Sequence, residues 1–215
     1  MAAAIVDVDG TLLDGSSERL FLLHLLSCRT LRPPALLRFA ARWLVHPAAT
    51  LAHGPGWNRS YLTGLDASAT AREAERFARD RLIPRIRPGM ASEISGLRSR
   101  GAEVVLLSAS LVWLVEPLAG AVGASRAFAS RPAASGGRLT GGIEGARPFG
   151  EEKLLTVRAF CAETGIPPSD CTAFGDSWAD RHVMGFCGSA VAVDPGRRLA
   201  KLCRSRGWRI LEDRR

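Results

Sequence analysis

The feature that most constrains this chain lies at its start. Residues 2–6 (AAAIV) are uniformly apolar and run straight into Asp7, Val8, Asp9, Gly10 and Thr11. An apolar run without polar alternation predicts a strand buried on both faces, as in a parallel sheet covered by helices. Asp7 then stands where the strand leaves the sheet, with Asp9 and Gly10 in the turn beyond it. Two carboxylates this close are costly to keep ionised together without a cation or a neighbouring positive charge.

Two further apolar segments end in polar clusters. Residues 102–107 (AEVVLL) run into Ser108, Ala109 and Ser110, and residues 171–174 (CTAF) run into Gly175, Asp176 and Ser177, with Asp180 close behind. More strands are predicted at 126–130, 190–193 and 208–211, and the glycine-rich stretch 136–145 reads as a hairpin. Helical patterns at 88–100, 111–122, 151–164 and 197–205 separate them. Strands alternating with helices predict an α/β fold, a Rossmann-like, doubly wound, mostly parallel sheet. In such a sheet the strand C-termini share one edge, where ligands bind, so the three clusters are expected to meet. Lys153, at the start of helix 151–164, is a fourth piece.

Between the first strand and residue 86 the pattern is helical throughout. Helix 18–28 has Ser16 and Ser17 placed to cap it, and Pro33 and Pro34 open a helix at 35–45. Residues 48–56 read as a loop, 57–62 as helical, and 67–82 as a strong helix after Asp66. The chain therefore divides into a core, 1–14 and 86–215, and a helical insert, 15–85.

Composition removes several function classes. Cys28, Cys161, Cys171, Cys187 and Cys203 are scattered without a C-x-x-C pair, which argues against a zinc site or disulfide framework and for a reduced, cytoplasmic protein. His24, His46, His53 and His182 show no ligand spacing. No basic stretch precedes the first apolar run, so no signal peptide is expected. The leucine-rich stretch 20–51 is broken by Arg29, Arg32, Pro33, Pro34, Arg38 and Arg42, so no stable membrane insertion is expected. The net charge is +8, and all but Lys153 and Lys201 of the 29 basic residues are arginine. They are dispersed without interleaved aromatics, which argues against nucleic acid as a partner. A positive field does help gather an anionic small molecule.

The clustered residue types suit phosphate chemistry. A carboxylate trio with an open face suits a hard cation such as magnesium. Serine and backbone N–H groups hold phosphate oxygens, and lysine supplies a compact positive charge. One aspartate can serve as nucleophile and another as acid and base. With these residues placed, the chain resembles the haloacid dehalogenase superfamily, subfamily IB, in the branch that contains phosphoserine phosphatase. The first motif, Asp-x-Asp-x-Thr, matches Asp7 to Thr11. The second matches Ser108, the third Lys153, and the fourth Gly175, Asp176 and Asp180.

Carried over by position, the resemblance implies Asp7 as nucleophile and metal ligand. Asp9 would be the acid/base, with its backbone carbonyl on magnesium. Ser108 and the Ala109 N–H would bind phosphate, in a set completed by Gly10 and Thr11. Lys153 would balance charge, Asp176 would ligate magnesium, and Asp180 would lie just behind the metal or contact it through water. The insert resembles that branch's small cap, and Arg59, between Trp57 and Tyr61, is expected to face the site from it. The implied activity is magnesium-dependent hydrolysis of a small phosphate ester through an aspartyl-phosphate. The alternatives are a phosphotransferase or mutase using the same intermediate, a lipid phosphatase, and a non-catalytic binding protein on the same scaffold. Two positions depart from the phosphoserine enzymes: Ser16 stands at the offset where they carry a glutamate, and Ala179 where they carry an asparagine. Ser110 is expected to cap the following helix and Asp14 to be a turn or cap residue.

Overall fold

In a computed structural model, residues 2–31, 33–45 and 57–213 are described; the expected loop at 48–56 lies outside them. The strands are β1 (Ala3–Val6), β2 (Glu103–Leu111), β3 (Arg126–Ser135), β4 (Arg138–Glu144), β5 (Cys171–Gly175), β6 (Ser189–Val193) and β7 (Arg209–Leu211). The helices are α1 (Ser17–Ser27), α2 (Pro33–Val45), α3 (Ala67–Phe77), α4 (Pro88–Ser99), α5 (Val112–Val122), α6 (Glu151–Thr164), α7 (Arg181–Phe186) and α8 (Arg197–Arg206). One seven-stranded sheet runs in the order β4-β3-β2-β1-β5-β6-β7. Its pairings are parallel except that β4 is antiparallel to β3. The chain builds outward from β1 through β2 and β3, then crosses back to place β5 on the other side of β1. The C-terminal ends of β1 and β5 therefore flank the point where the winding reverses.

The alternation of side chains explains the burial. Ala4 and Val6 of β1 and Val104 and Leu106 of β2 enter one apolar cluster with Phe21 of α1, Met90 of α4 and Leu114 of α5. Ala3, Ile5, Val105 and Leu107 enter the other with Phe160 of α6, Val183 of α7 and Leu199 of α8. β1 and β2 are thus apolar on both faces because helices cover both. Each large apolar side chain so buried contributes roughly 1.5–3 kcal/mol.

Several elements differ from expectation for identifiable reasons. Helix 67–82 begins as expected, with Asp66 Oδ1 accepting from the Ala69 N–H at 2.8 Å. It leaves the α-form after Phe77, passing through a π turn at Ala78–Leu82 and a 3-10 turn at Ile83–Arg85. Pro84 has no N–H to continue the ladder. The helical expectation at 57–62 reduces to a 3-10 turn at Ser60–Leu62. Strand β3 runs to Ser135 and joins β4 through Gly136 and Gly137, both at positive φ (56° and 75°), as a tight hairpin requires. That hairpin grips the insert: the Gly64 N–H donates to the Leu139 carbonyl at 2.8 Å, and the Leu139 N–H to that of Leu65 at 2.9 Å. Among the described residues of 15–85 no strand occurs, and no described helix is long and apolar enough to cross a membrane.

Candidate active site

Asp7 lies one residue beyond β1, and its N–H still donates to the Phe174 carbonyl of β5 at 3.1 Å, so the strand pairing fixes its backbone. The chain then turns tightly at Gly10, whose φ is +91° and whose N–H reaches the Leu13 and Gly15 carbonyls. A Cβ at Gly10 would collide with the Asp176 carboxylate. The turn thus needs glycine both for its dihedral and for its close approach to the loop after β5. The next residue links the two loops: Thr11 Oγ1 lies 3.0 Å from Asp7 Oδ2 and 3.2 Å from Asp176 Oδ1.

Lys153 enters from the first turn of α6 and is only 5 % exposed. Its Nζ donates to Asp7 Oδ1 and to Asp180 Oδ1, both at 2.6 Å. Asp180 turns its other oxygen to Ser177, accepting from the backbone N–H at 3.1 Å and from Oγ at 2.7 Å. Burial opposes the Lys153 charge, yet Asp180 and Asp7 together hold the ammonium above its usual range. Burial pushes the Asp7 carboxyl well up; Lys153 counteracts this, while Asp180 and Asp176 add to it. Burial, reinforced by the Asp180 charge, raises Asp176 to about 6.

Asp7, Asp176 and Asp180 offer carboxylate oxygens that all lie within 4.8 Å of one another. Three carboxylates against one ammonium leave a local negative excess, and the donors are all oxygen. That donor set fits a hard dication such as magnesium. The Asp9 carboxylate is not part of this trio: its Oδ1 accepts from the Ser17 N–H at 2.8 Å, at the start of α1. Burial raises its pKa, partly offset by the hydrogen bonds from Ser17.

The serine cluster is shaped by a bulge. Leu107 pairs with Phe128 but Leu111 with Ser130, so residues 108–110 arch out of register at the end of β2. Ser130 Oγ ties the arch down by donating to the Ala109 carbonyl at 2.8 Å. Ser108 Oγ accepts from the Ser110 N–H at 3.1 Å. Ser110 does not cap the following helix as expected; its hydroxyl meets Ser17 Oγ at 2.7 Å, and Leu111 takes the N-cap position. Asp14 faces Arg87, its Oδ1 3.4 Å from Nη2.

Arg59 comes from the insert but does not present a free charge to the site. It is 2 % exposed, donating from Nε and Nη2 to Glu18 at 2.9 and 2.8 Å and from Nη2 to the Ala109 carbonyl at 2.5 Å. Tyr61 donates to the same Glu18 carboxylate at 3.2 Å. Arg59 therefore braces the serine arch from behind, with Glu18 as its counter-charge.

A cavity of about 280 Å³ opens over these groups, lined by Asp7, Asp9, Ser108, Ala109 and Lys153, and also by Glu18, Arg147 and Phe149. Sequence reasoning missed the last three. The signal for Glu18 was a lone acid on the first turn of an otherwise apolar helix, two residues beyond the offset at Ser16. Arg147 and Phe149 carry no signal beyond standing just before Lys153.

A family profile for haloacid dehalogenase-like hydrolases matches residues 4–185. The chain belongs to this family. Among relatives of this hydrolase, "Probable phosphatase Rv3661" of Mycobacterium tuberculosis is 28% identical over 214 residues, covering 97% of this chain and 74% of that protein. "Phosphoserine phosphatase SerB1" of the same organism is 32% identical over 114 residues, covering 53% of this chain and 37% of that protein. A Bordetella pertussis protein of unknown function superposes with a TM-score of 0.82 at 24% identity, covering 98% of this chain and 97% of that one. A phosphoserine phosphatase solved as a phospho-aspartyl intermediate analogue gives 0.65 at 19% identity, covering 100% and 94%. The two structural likenesses establish the fold. The family expected from the four motifs is the one whose profile the chain matches.

Proposed function

We propose that this hydrolase is a magnesium-dependent phosphomonoesterase, acting on a small phosphorylated metabolite through an aspartyl-phosphate on Asp7. The observation that carries the reading is the Lys153 ammonium between Asp7 and Asp180, with Asp176 in the same carboxylate cluster, at the winding reversal of the sheet. Asp7, Asp176 and the Asp9 backbone carbonyl would hold the ion, with Asp180 engaged by Lys153 and Ser177 just behind. When bound, magnesium supplies positive charge beside the phosphoryl oxygens.

In this reading a carboxylate oxygen of Asp7 attacks phosphorus and the ester oxygen leaves, taking a proton from the Asp9 carboxyl. Asp9, whose pKa burial raises, is suited to carry that proton. Ser108 Oγ and the Ala109 N–H hold phosphoryl oxygens, and Lys153 offsets their charge beside Asp7. Asp9 then takes a proton from water as the water attacks phosphorus, which releases inorganic phosphate and restores Asp7. Residues 15–85 act as the cap, contributing Glu18 to the wall, with Arg59 bracing it from behind, and excluding bulk water.

The test is phosphate release from p-nitrophenyl phosphate, with magnesium and with a chelator. Wild type is expected to turn over only with the metal, and Asp7→Asn to lose turnover while still folding cooperatively. Equal rates in Asp7→Asn, or equal rates without a divalent ion, contradict the assignment.

A further inference from the structure

We propose that helix α2 is a membrane-surface contact, through which the insert docks the protein reversibly on an anionic phospholipid bilayer. The inference does not rest on the reaction proposed above. Charge and exposed apolar surface coincide in one stretch. Residues 19–65 contain six arginines and no Asp or Glu, whereas the rest of the chain is close to neutral. Among the described residues the exposed large apolar side chains are Leu23, Leu26, Leu37, Leu44, Val45 and Leu155, and all but the last fall in that stretch. Single exposed leucines are ordinary, but an apolar face rimmed by one sign of charge marks a contact surface.

Helix α2 carries that face. Ala35 is buried, Leu36 and Phe39 pack against the core, and Phe39 meets the Tyr61 ring edge-on at 5.5 Å. On the opposite side Leu37, Ala40, Ala41 and Leu44 follow the i, i+3, i+4, i+7 spacing of a single helix face. All four are exposed, Leu37 to 71 % and Leu44 to 83 %. Arg38 and Arg42, one turn apart and also exposed, run along the edge of this face. Arg42 stacks on the Trp57 ring at 5.1 Å and keeps its charge there. A helix on a water-facing surface turns polar residues outward. This one turns leucine and alanine outward with arginine beside them, as a helix lying in a bilayer interface does. The leucines enter the acyl boundary, while the guanidinium groups stay at the lipid phosphates. Asp66 shares a cavity wall with Arg38, but its carboxylate caps α3, accepting from the Ala69 N–H at 2.8 Å. A second copy of the chain fits the face less well. A two-fold contact sets a patch against itself, and α2 has no acid to meet Arg38 and Arg42. Lipid phosphates supply that negative charge.

The test is co-sedimentation of the full chain with vesicles at about 0.1 M salt, phosphatidylcholine alone against phosphatidylcholine mixed with phosphatidylglycerol. Wild type is expected to bind the mixed vesicles, not the neutral ones, and to be released by high salt. Leu37→Gln with Leu44→Gln is expected to lower the partition coefficient about tenfold or more, and Arg38→Gln with Arg42→Gln by about fivefold per arginine. Arg204→Gln with Arg206→Gln removes the same charge from α8, which packs on the other face of the sheet, and is expected to lower it by about twofold at most. All six positions are exposed, so each variant is expected to fold, and a thermal melt checks this. Wild type that ignores the mixed vesicles, a leucine variant that binds as wild type does, or equal losses from the α2 and α8 arginine pairs overturn the proposal. So does a lipid-free dimer that the leucine substitutions dissolve, without vesicle binding; that result assigns the face to a second copy.

Discussion

Replacing Lys153 by methionine tests the electrostatics of the site apart from its chemistry. Methionine keeps an unbranched chain in the channel but removes the charge. Two buried carboxylate oxygens, each 2.6 Å from Nζ, then lose their counter-ion, with Asp176 close beside them. Removing one partner of a buried ion pair costs about 3–5 kcal/mol. The deficit should depend on pH in a definite direction. The folded-state pKa of Asp7 already lies above its ordinary value, and Lys153 is the group restraining it. In the variant it rises further. A carboxyl raised on folding contributes stability that is fully present below its unfolded pKa and lost as pH rises through the folded one. Urea unfolding of both proteins in a chelator should show a loss of about 3–5 kcal/mol at pH 8 and a much smaller loss at pH 5. A loss below about 1 kcal/mol at pH 8, as for an exposed pair, would refute the reasoning, and so would a loss that does not change with pH.

The same linkage applies to the metal-free wild type. With Asp176 raised to about 6 on burial, its thermal midpoint should fall as pH rises from about 4 to that value and then level off, and magnesium should restore it at pH 7.5. A midpoint that rises over this range, or ignores magnesium, contradicts the cluster. Glu18→Gln leaves the buried Arg59 charge without its bidentate partner and should cost about 3–5 kcal/mol in chemical unfolding. The double variant Glu18→Gln, Arg59→Met should recover much of it; additive losses would mean that the pair is not coupled.

Much of this fold is readable from residues because the sheet is buried on both faces. The runs at 2–6, 102–107 and 171–174 show up as apolar blocks for that reason, and α6 spans Glu151–Thr164, the range expected for it. The misreadings occur where polar groups satisfy one another out of view of a hydropathy count. Strand β2 continues through Ser108 and Ser110 because both hydroxyls are buried with partners over a bulge, Ser108 Oγ accepting from the Ser110 N–H and Ser110 Oγ meeting Ser17 Oγ. The core of the candidate site was legible for a related reason: Asp7 and Asp176 each stand just past a strand end, Ser108 where the β2 pairing breaks, and Lys153 on a first helical turn. The wall was not. Glu18 acquires its role from Arg59, a partner 41 positions away, and counting from Asp9 leads instead to Ser16, which caps α1. Arg147 is one arginine in a chain that writes nearly all its basic residues that way.

The central claim is that the Asp7 carboxylate becomes covalently phosphorylated during turnover. Mixing the enzyme with a phosphate ester and magnesium, quenching in acid within one turnover and mapping the digest by mass spectrometry tests it directly. The account predicts the mass of one phosphoryl group on the peptide carrying Asp7, absent from Asp7→Asn. A wild type that turns over while that peptide stays unmodified, or carries the adduct elsewhere, contradicts it.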